Sequence, residues 1–403
     1  MTASAHAVPP RIEQLDALRG LALFGILVVN LGVFASPYYG LGLPDPSYDG
    51  GLDRAVRLLV AGLFEMKFYL LFSFLFGYSF SLQLDSAQRA GEAFVPRMLR
   101  RLLGLWLIGL AHAVLLFHGD ILGTYAAMGL ILLTTRALSE RTALRSALVL
   151  IVATAVAWAG LALLIRLSGE AGVVDARIVA AQAQTTLAGF LGDPAAVVAQ
   201  RVRELASTGI VLAFMQAPCA LAMFLLGRVA GRRRMLAHLD RYPALLRRLR
   251  LWGFGIGLPA AALYAGVSTF EPGGALELSA LALSLLTAPL LTGAYAALAM
   301  SGFAGRAGPR LVRLLAPAGR MALSNYLLQS AAAALAFTGY GFGLMGRLSP
   351  LTVLAFAIML FGAQLRFSAW WMQHHGHGPM EWLLRAITLG AWPRWRKPAR
   401  DAA

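Results

Sequence analysis

A succession of apolar windows, each about 20 residues long and so able to cross a bilayer, most constrains what this chain can fold into. They fall near residues 15–36, 58–82, 98–117, 120–136, 143–166, 206–230, 251–269, 276–301, 318–338 and 349–372. With 59% hydrophobic and only 13% charged residues, and a mean hydropathy of +0.68, the chain holds far more apolar surface than a soluble domain could bury. Backbone polar groups in lipid must be satisfied within their own segment, which selects helices here. The expected fold is therefore all-α: a polytopic membrane helix bundle of about ten transmembrane helices.

The formal net charge of +16 does not call for nucleic acid, because the basic residues are nearly all Arg and cluster at the ends of the apolar windows. Alternate connections carry Arg97, Arg100 and Arg101, then Arg136, Arg141 and Arg145, then a run from Arg228 to Arg250, then Arg306, Arg310, Arg313 and Arg320. The intervening connections are poorer in Arg and hold Asp45, Asp49, Asp53, Asp120, Asp175, Asp193, Glu271 and Glu277. Positive charge favours the cytoplasmic side, so this alternation predicts both termini inside. It divides the chain into a cytoplasmic tail over 1–14, one membrane domain over 15–390 with an extracytoplasmic insertion around 167–205, and a basic cytoplasmic tail over 391–403. The Gly-, Pro- and Asp-rich connection at 37–56 reads as a mouth-lining loop. Cys219, the only cysteine, excludes an internal disulfide.

Polar residues inside such windows are expensive in lipid and mark protein interiors or wet cavities. In the first window Asp16 and Arg19 stand at i,i+3, and Asn30 falls within about 20° of Arg19 in helical projection. Lys67 stands near the outer end of a span, where its ammonium either snorkels, pairs with Glu65 or lines a cavity. His112 shares a helix side with Arg101 at a spacing of 11 and precedes a tight turn through His118, Gly119 and Asp120. The histidine suits either a general base or a helix-to-helix hydrogen bond, and Asp120 either orients an imidazole or caps the next helix. Ser324, Asn325 and Gln329 follow Arg320 and read as interhelical hydrogen-bonding groups or as a cavity wall. Glu381 and Arg385 stand at i,i+4 on a short interfacial helix after Pro379.

His374, His375 and His377 lack the spacing that brings two metal ligands onto one helix face, so no metal is expected. A Walker loop, a GxGxxG fingerprint and a GxSxG elbow are absent from the sequence, which argues against an ATPase, a dinucleotide enzyme and a serine hydrolase.

Several segments, taken together, carry a resemblance. They are Leu15-Asp16-Ala17-Leu18-Arg19-Gly20 with Val29-Asn30; Lys67-Phe68 with Leu71-Phe72-Ser73-Phe74-Leu75-Phe76-Gly77; His112 with Gly119-Asp120-Ile121-Leu122; the run from Gly319 to Gln329; and Gly378-Pro379-Met380-Glu381-Trp382. The chain resembles the YeiB-like family of bacterial membrane proteins, domain of unknown function 418, over most of its length. That family is similar to the transmembrane acyltransferases, including acyltransferase-3 proteins and the lysosomal heparan glucosaminide N-acetyltransferase.

The resemblance implies a bacterial inner-membrane enzyme that passes an acyl group from cytoplasmic acyl-CoA, acetyl-CoA being the simplest donor, to a hydroxyl or amine at the outer side. The acceptor would be a small molecule, a glycan or a lipid, the bundle would sit among membrane lipids, and a homo-oligomer fits the same picture. The heparan enzyme carries its reactive histidine in the connection after the first span. The 37–56 connection here has none, so that role passes to His112, helped by Asp120, or to His118. Asp16, Arg19, Arg101 and Arg320 become the donor-binding group, since Arg forks match phosphate oxygens. Asn30 or Lys67 would steady the oxyanion, with Ser324, Asn325, Gln329, Glu381 and Arg385 as the substrate pocket. The competing reading is a transporter for a small or lipidic solute, in which the same polar groups line a path.

Overall fold

The computed structural model describes residues 12–91, 93–168 and 176–397. Most of the expected N-terminal tail (1–11), residues 169–175 of the expected insertion and the end of the basic tail (398–403) lie outside the described residues. In chain order the α-helices are α1 (Glu13–Ala35), α2 (Pro37–Gly40), α3 (Gly51–Leu63), α4 (Lys67–Ala90), α5 (Phe94–Leu115), α6 (Leu122–Thr134), α7 (Glu140–Leu167), α8 (Ala176–Leu191) and α9 (Pro194–Val211). They continue as α10 (Ala217–Arg232), α11 (Pro243–Trp252), α12 (Leu258–Phe270), α13 (Ala275–Ala304), α14 (Gly308–Arg320), α15 (Ala322–Phe337), α16 (Pro350–His374) and α17 (Pro379–Leu389). No β-strand occurs among the described residues. Eight helical stretches among them are long and apolar enough to cross a membrane.

Several boundaries differ from the hydropathy windows for local reasons. The window at 58–82 spans the end of α3 and most of α4, separated at Met66, whose φ of 65° turns the chain out of the right-handed helix. The window at 120–136 holds the 13-residue helix α6. The window at 318–338 is broken at Met321, between the last turn of α14 and the start of α15. Conversely, α9 and α10 form one long stretch through a π-helical turn at Leu212–Gln216, and α11 and α12 do the same through Gly253–Gly257. Pro218 and Pro259 follow those turns, and a proline ring clashes with the carbonyl four residues earlier in a regular helix. One extra residue in the turn relieves the clash.

Two close helix crossings position the polar residues. Along α4 and α10, a Cβ on Gly77 or Gly227 would run into the opposing backbone at Phe224 or Phe74. Where α1 crosses α14, a Cβ on Gly20 would meet the Leu315 carbonyl and one on Gly319 the Asp16 carbonyl. Small residues at such crossings let backbones touch, which is how helices associate where lipid removes the hydrophobic drive. The second crossing sets Asp16 and Arg19 beside Arg320.

Candidate functional site

The first polar group is assembled on that crossing. Asp16 is buried and accepts a hydrogen bond from Arg19 Nη1 at 2.7 Å, while Arg19 Nη2 donates to Ser79 Oγ of α4 at 2.5 Å. Arg19 is thereby held toward a cavity of about 250 Å³, which Arg101 of α5 and Arg320 of α14 also line. Arg101 makes no hydrogen bond or close ion pair to a described residue, and its charge feels those of Arg19, Arg97 and Arg385 against the single carboxylate of Glu381. Asp16 lies beneath this group rather than on the cavity wall. Glu381 is the carboxylate among the lining residues, and its oxygens are already engaged. Oε1 accepts from the Leu323 and Ser324 N–H groups at 2.7 and 3.1 Å, and Oε2 from Ser324 Oγ at 2.5 Å. Burial raises the Glu381 carboxyl above its usual range, and the Ser324 donors oppose that shift. An excess of guanidinium groups around one hollow gives it a positive field, the kind that suits an anion.

A second cavity of about 420 Å³ lies between the far end of α1, the 37–48 segment and the ends of α3, α12, α13 and α16. Asn30 faces it, together with Glu65, Glu277, Tyr39 and Tyr264. Tyr39 Oη donates to Glu65 Oε1 at 2.5 Å, and Glu277 accepts from the Gly273 N–H at 2.5 Å. Asp45 lines it as well, and Arg57 is the single cation among its lining residues, so carboxylates are in excess here, opposite in sign to the Arg-lined cavity. Ile26, Ile121 and Tyr326 line both cavities, so these three side chains form the wall between them.

His112 stands behind that wall. It is 2% exposed, in the last turn of α5, where its carbonyl accepts the Leu116 and Phe117 N–H groups at 2.8 Å and closes the turn. Its Nδ1 meets Asp120 Oδ1 at 2.8 Å, and Asp120 Oδ2 accepts from the Gly123 N–H at 2.8 Å. One carboxylate therefore orients the imidazole and caps α6 together. With a proton on Nδ1, the lone pair is left on Nε2, which is buried without a hydrogen-bond partner. The Tyr326 ring covers this face at 4.9 Å between centroids. His118 lies elsewhere, against Phe190 and near Arg201 and Glu204, and burial lowers its pKa to about 4.

The remaining candidates sit in local structural roles. Lys67 is fully buried, and its ammonium donates to the Ala61 carbonyl at 3.0 Å, satisfying an open carbonyl in the last turn of α3. It lines neither cavity and forms no close ion pair with Glu65. Asn325 donates to Ser368 Oγ at 2.8 Å and Gln329 to Gln364 Oε1 at 2.8 Å, a ladder that ties α15 to α16. Ser324 and Glu381 form the cap of α15, and Arg385 is exposed on α17 instead of pairing with Glu381. His375 stacks on Trp371 at 4.1 Å between centroids. Tyr326, Tyr39, Tyr264 and Glu277 were not singled out by the sequence. Tyrosine in an apolar helix carries no signal distinguishing a cavity wall from core, and Glu277 looked like a connection residue.

Residues 230–391 match the family described as "Protein of unknown function (DUF418)". The chain is 32% identical over 400 residues to "Uncharacterized protein YxaH" of Bacillus subtilis (strain 168), covering 95% of each chain. It is 28% identical over 399 residues to "Uncharacterized protein YeiB" of Escherichia coli (strain K12), covering 94% of this chain and 97% of that one. Similarity of this extent runs through both cavities and the wall between them, and it places the chain in the DUF418 family of YeiB-like proteins.

Proposed function

We propose that this membrane protein is an acyl-CoA-dependent transferase of the bacterial inner membrane, with the Arg-lined cavity facing the cytoplasm. The observation that carries this reading is the convergence of Arg19, Arg101 and Arg320, from three separate helices, on one hollow that abuts a second and larger one. The phosphates of the donor would lie against the guanidinium groups, and its thioester would reach toward the shared wall. A hydroxyl or amine acceptor would occupy the larger cavity. His112 Nε2 would take the acceptor's proton as its oxygen or nitrogen bonds to the thioester carbon. The C–S bond then breaks, and the imidazolium returns the proton to the leaving thiolate. Asn30, which has no hydrogen bond to a described residue, is the donor on offer for the developing oxyanion.

Transport of a small solute is the second reading, favoured by two cavities placed end to end along one line of helices. One experiment separates the two. Purified protein in detergent is titrated with acetyl-CoA and longer acyl-CoAs, following binding calorimetrically and thioester loss by free thiol, beside Arg101→Ala and His112→Ala. Saturable binding weakened in Arg101→Ala, with thioester loss removed in His112→Ala, supports transfer. Absence of acyl-CoA binding, with solute flux in liposomes, rejects it in favour of transport.

A further inference from the structure

Two buried polar atoms without a hydrogen-bond partner among the described residues lie at the wall between the cavities, one in it and one behind it. Tyr326 is 6% exposed and its hydroxyl finds no hydrogen-bond partner, and the same holds for Nε2 of His112, 2% exposed, whose ring it covers. The Ile121 backbone and the Asp120 carboxylate act on this hydroxyl, but no group among the described residues reaches it in hydrogen-bonding geometry, so the tyrosine is held only weakly where it stands. The other two shared wall residues, Ile26 and Ile121, are aliphatic and offer it no acceptor on their side chains. Polar walls lie on either side: Arg19, Arg101 and Gln83 in one cavity, Asn30, Glu65 and Glu277 in the other. A rotation about the Tyr326 side chain into either hollow would bring its hydroxyl to water or to one of those groups. The same rotation would uncover His112.

We propose that Tyr326 is the gate of a single passage through the bundle, closed in this structure, whose opening joins the Arg-lined and the acidic cavities and exposes His112 Nε2 to both. The inference goes beyond the transfer reading and does not depend on it, because a thioester reaching an acceptor and a solute crossing the bundle would need the same opening. It also assigns a function to a residue inside the Gly319–Gln329 segment whose polar neighbours Asn325 and Gln329 are consumed in holding α15 to α16.

Thiol accessibility tests this without any substrate. Cys219, the only cysteine and buried, is replaced by Ser, and Ser268→Cys places a thiol on the wall of the larger cavity. Membrane-impermeant charged methanethiosulfonate is then applied to right-side-out or inverted vesicles. With Tyr326 present, the Ser268→Cys thiol reacts from the larger cavity's own end and slowly from the Arg end. Tyr326→Ala is expected to raise the rate from the Arg end at least ~10-fold, whereas Tyr326→Phe, which keeps the ring as a plug, stays near the parent. An unchanged rate in Tyr326→Ala protein that elutes like the parent overturns the proposal. Should Tyr326→Ala not fold, Tyr326→Cys in the cysteine-free chain decides. Labelling of that thiol from both ends supports the gate, and labelling from one end or neither rejects it. Loss of acyl-CoA binding in the earlier titration would leave these rates untouched, so failure of one reading is distinguishable from failure of the other.

Discussion

Arg101 differs from Arg19 in making no hydrogen bond or close ion pair to a described residue, with only the more distant Glu381 carboxylate acting on it against its arginine neighbours, whereas Arg19 is anchored by Asp16 and Ser79. A guanidinium in that state contributes most to an arriving anion and least to the fold. Arg101→Ala should weaken acyl-CoA binding by about 10–100-fold, the range of one charge-assisted hydrogen bond, with little change in melting temperature. Isothermal titration checks the affinity, and Arg385→Ala, on an exposed position, should leave it within about twofold. Asp120 makes the opposite prediction. It serves both the imidazole and the first turn of α6, so Asp120→Ala should lower stability by about 1–3 kcal/mol in a detergent melt, and Asp120→Asn by less, because an amide oxygen still accepts from Gly123. The placing of Asp16 and Arg19 on one helix side was readable from their i,i+3 spacing, and the approach of Asp120 to His112 from the tight turn between them. The role of Tyr326 was not, because what sets it apart is the lack of a partner, a property of the packed bundle that no local pattern encodes.

Hydropathy located most helices and misplaced their breaks, because the breaks are made by groups far away in sequence. The start of α15 depends on Glu381, some 57 residues on, which accepts two of its free N–H groups. The end of α3 is closed by Lys67, and the turn after α5 by Arg201, whose Nη1 donates to the Leu115 carbonyl at 2.5 Å. That last turn also carries a pH dependence. Burial lowers His118 to about 4 from an ordinary value of 6.5, so the folded protein favours the neutral ring while the unfolded chain protonates near 6.5. The unfolded state then binds the extra proton as pH falls, and stability is complete above about 6.5 and declines through the window down to about 4. A loss of up to about 3 kcal/mol is expected across that window, and His118→Gln should flatten the slope in melts run from pH 7.5 to 4.5. An unchanged slope in that variant would assign the acid sensitivity to other groups.

At the scale of the whole molecule, the two cavities have opposite charge, and the proposed chemistry requires that the Arg-lined one open toward cytoplasmic acyl-CoA. The Arg-rich connections provide an independent handle on that orientation, because the segment from Arg232 to Arg250 alone carries seven arginines and belongs on the cytoplasmic side by the positive-inside bias. Two exposed positions report it: Asp240, between α10 and α11, and Thr185, on α8. In the chain with Cys219 replaced, Thr185→Cys should react with an impermeant maleimide in intact cells, and Asp240→Cys only after permeabilisation. The reverse pattern would place the guanidinium cavity outside, where acyl-CoA is absent, and transfer from a cytoplasmic donor would be ruled out. The Tyr326 gate would survive that outcome, since the wall between the cavities is the same whichever way the bundle faces, and the passage would then be read as one for a solute entering from outside.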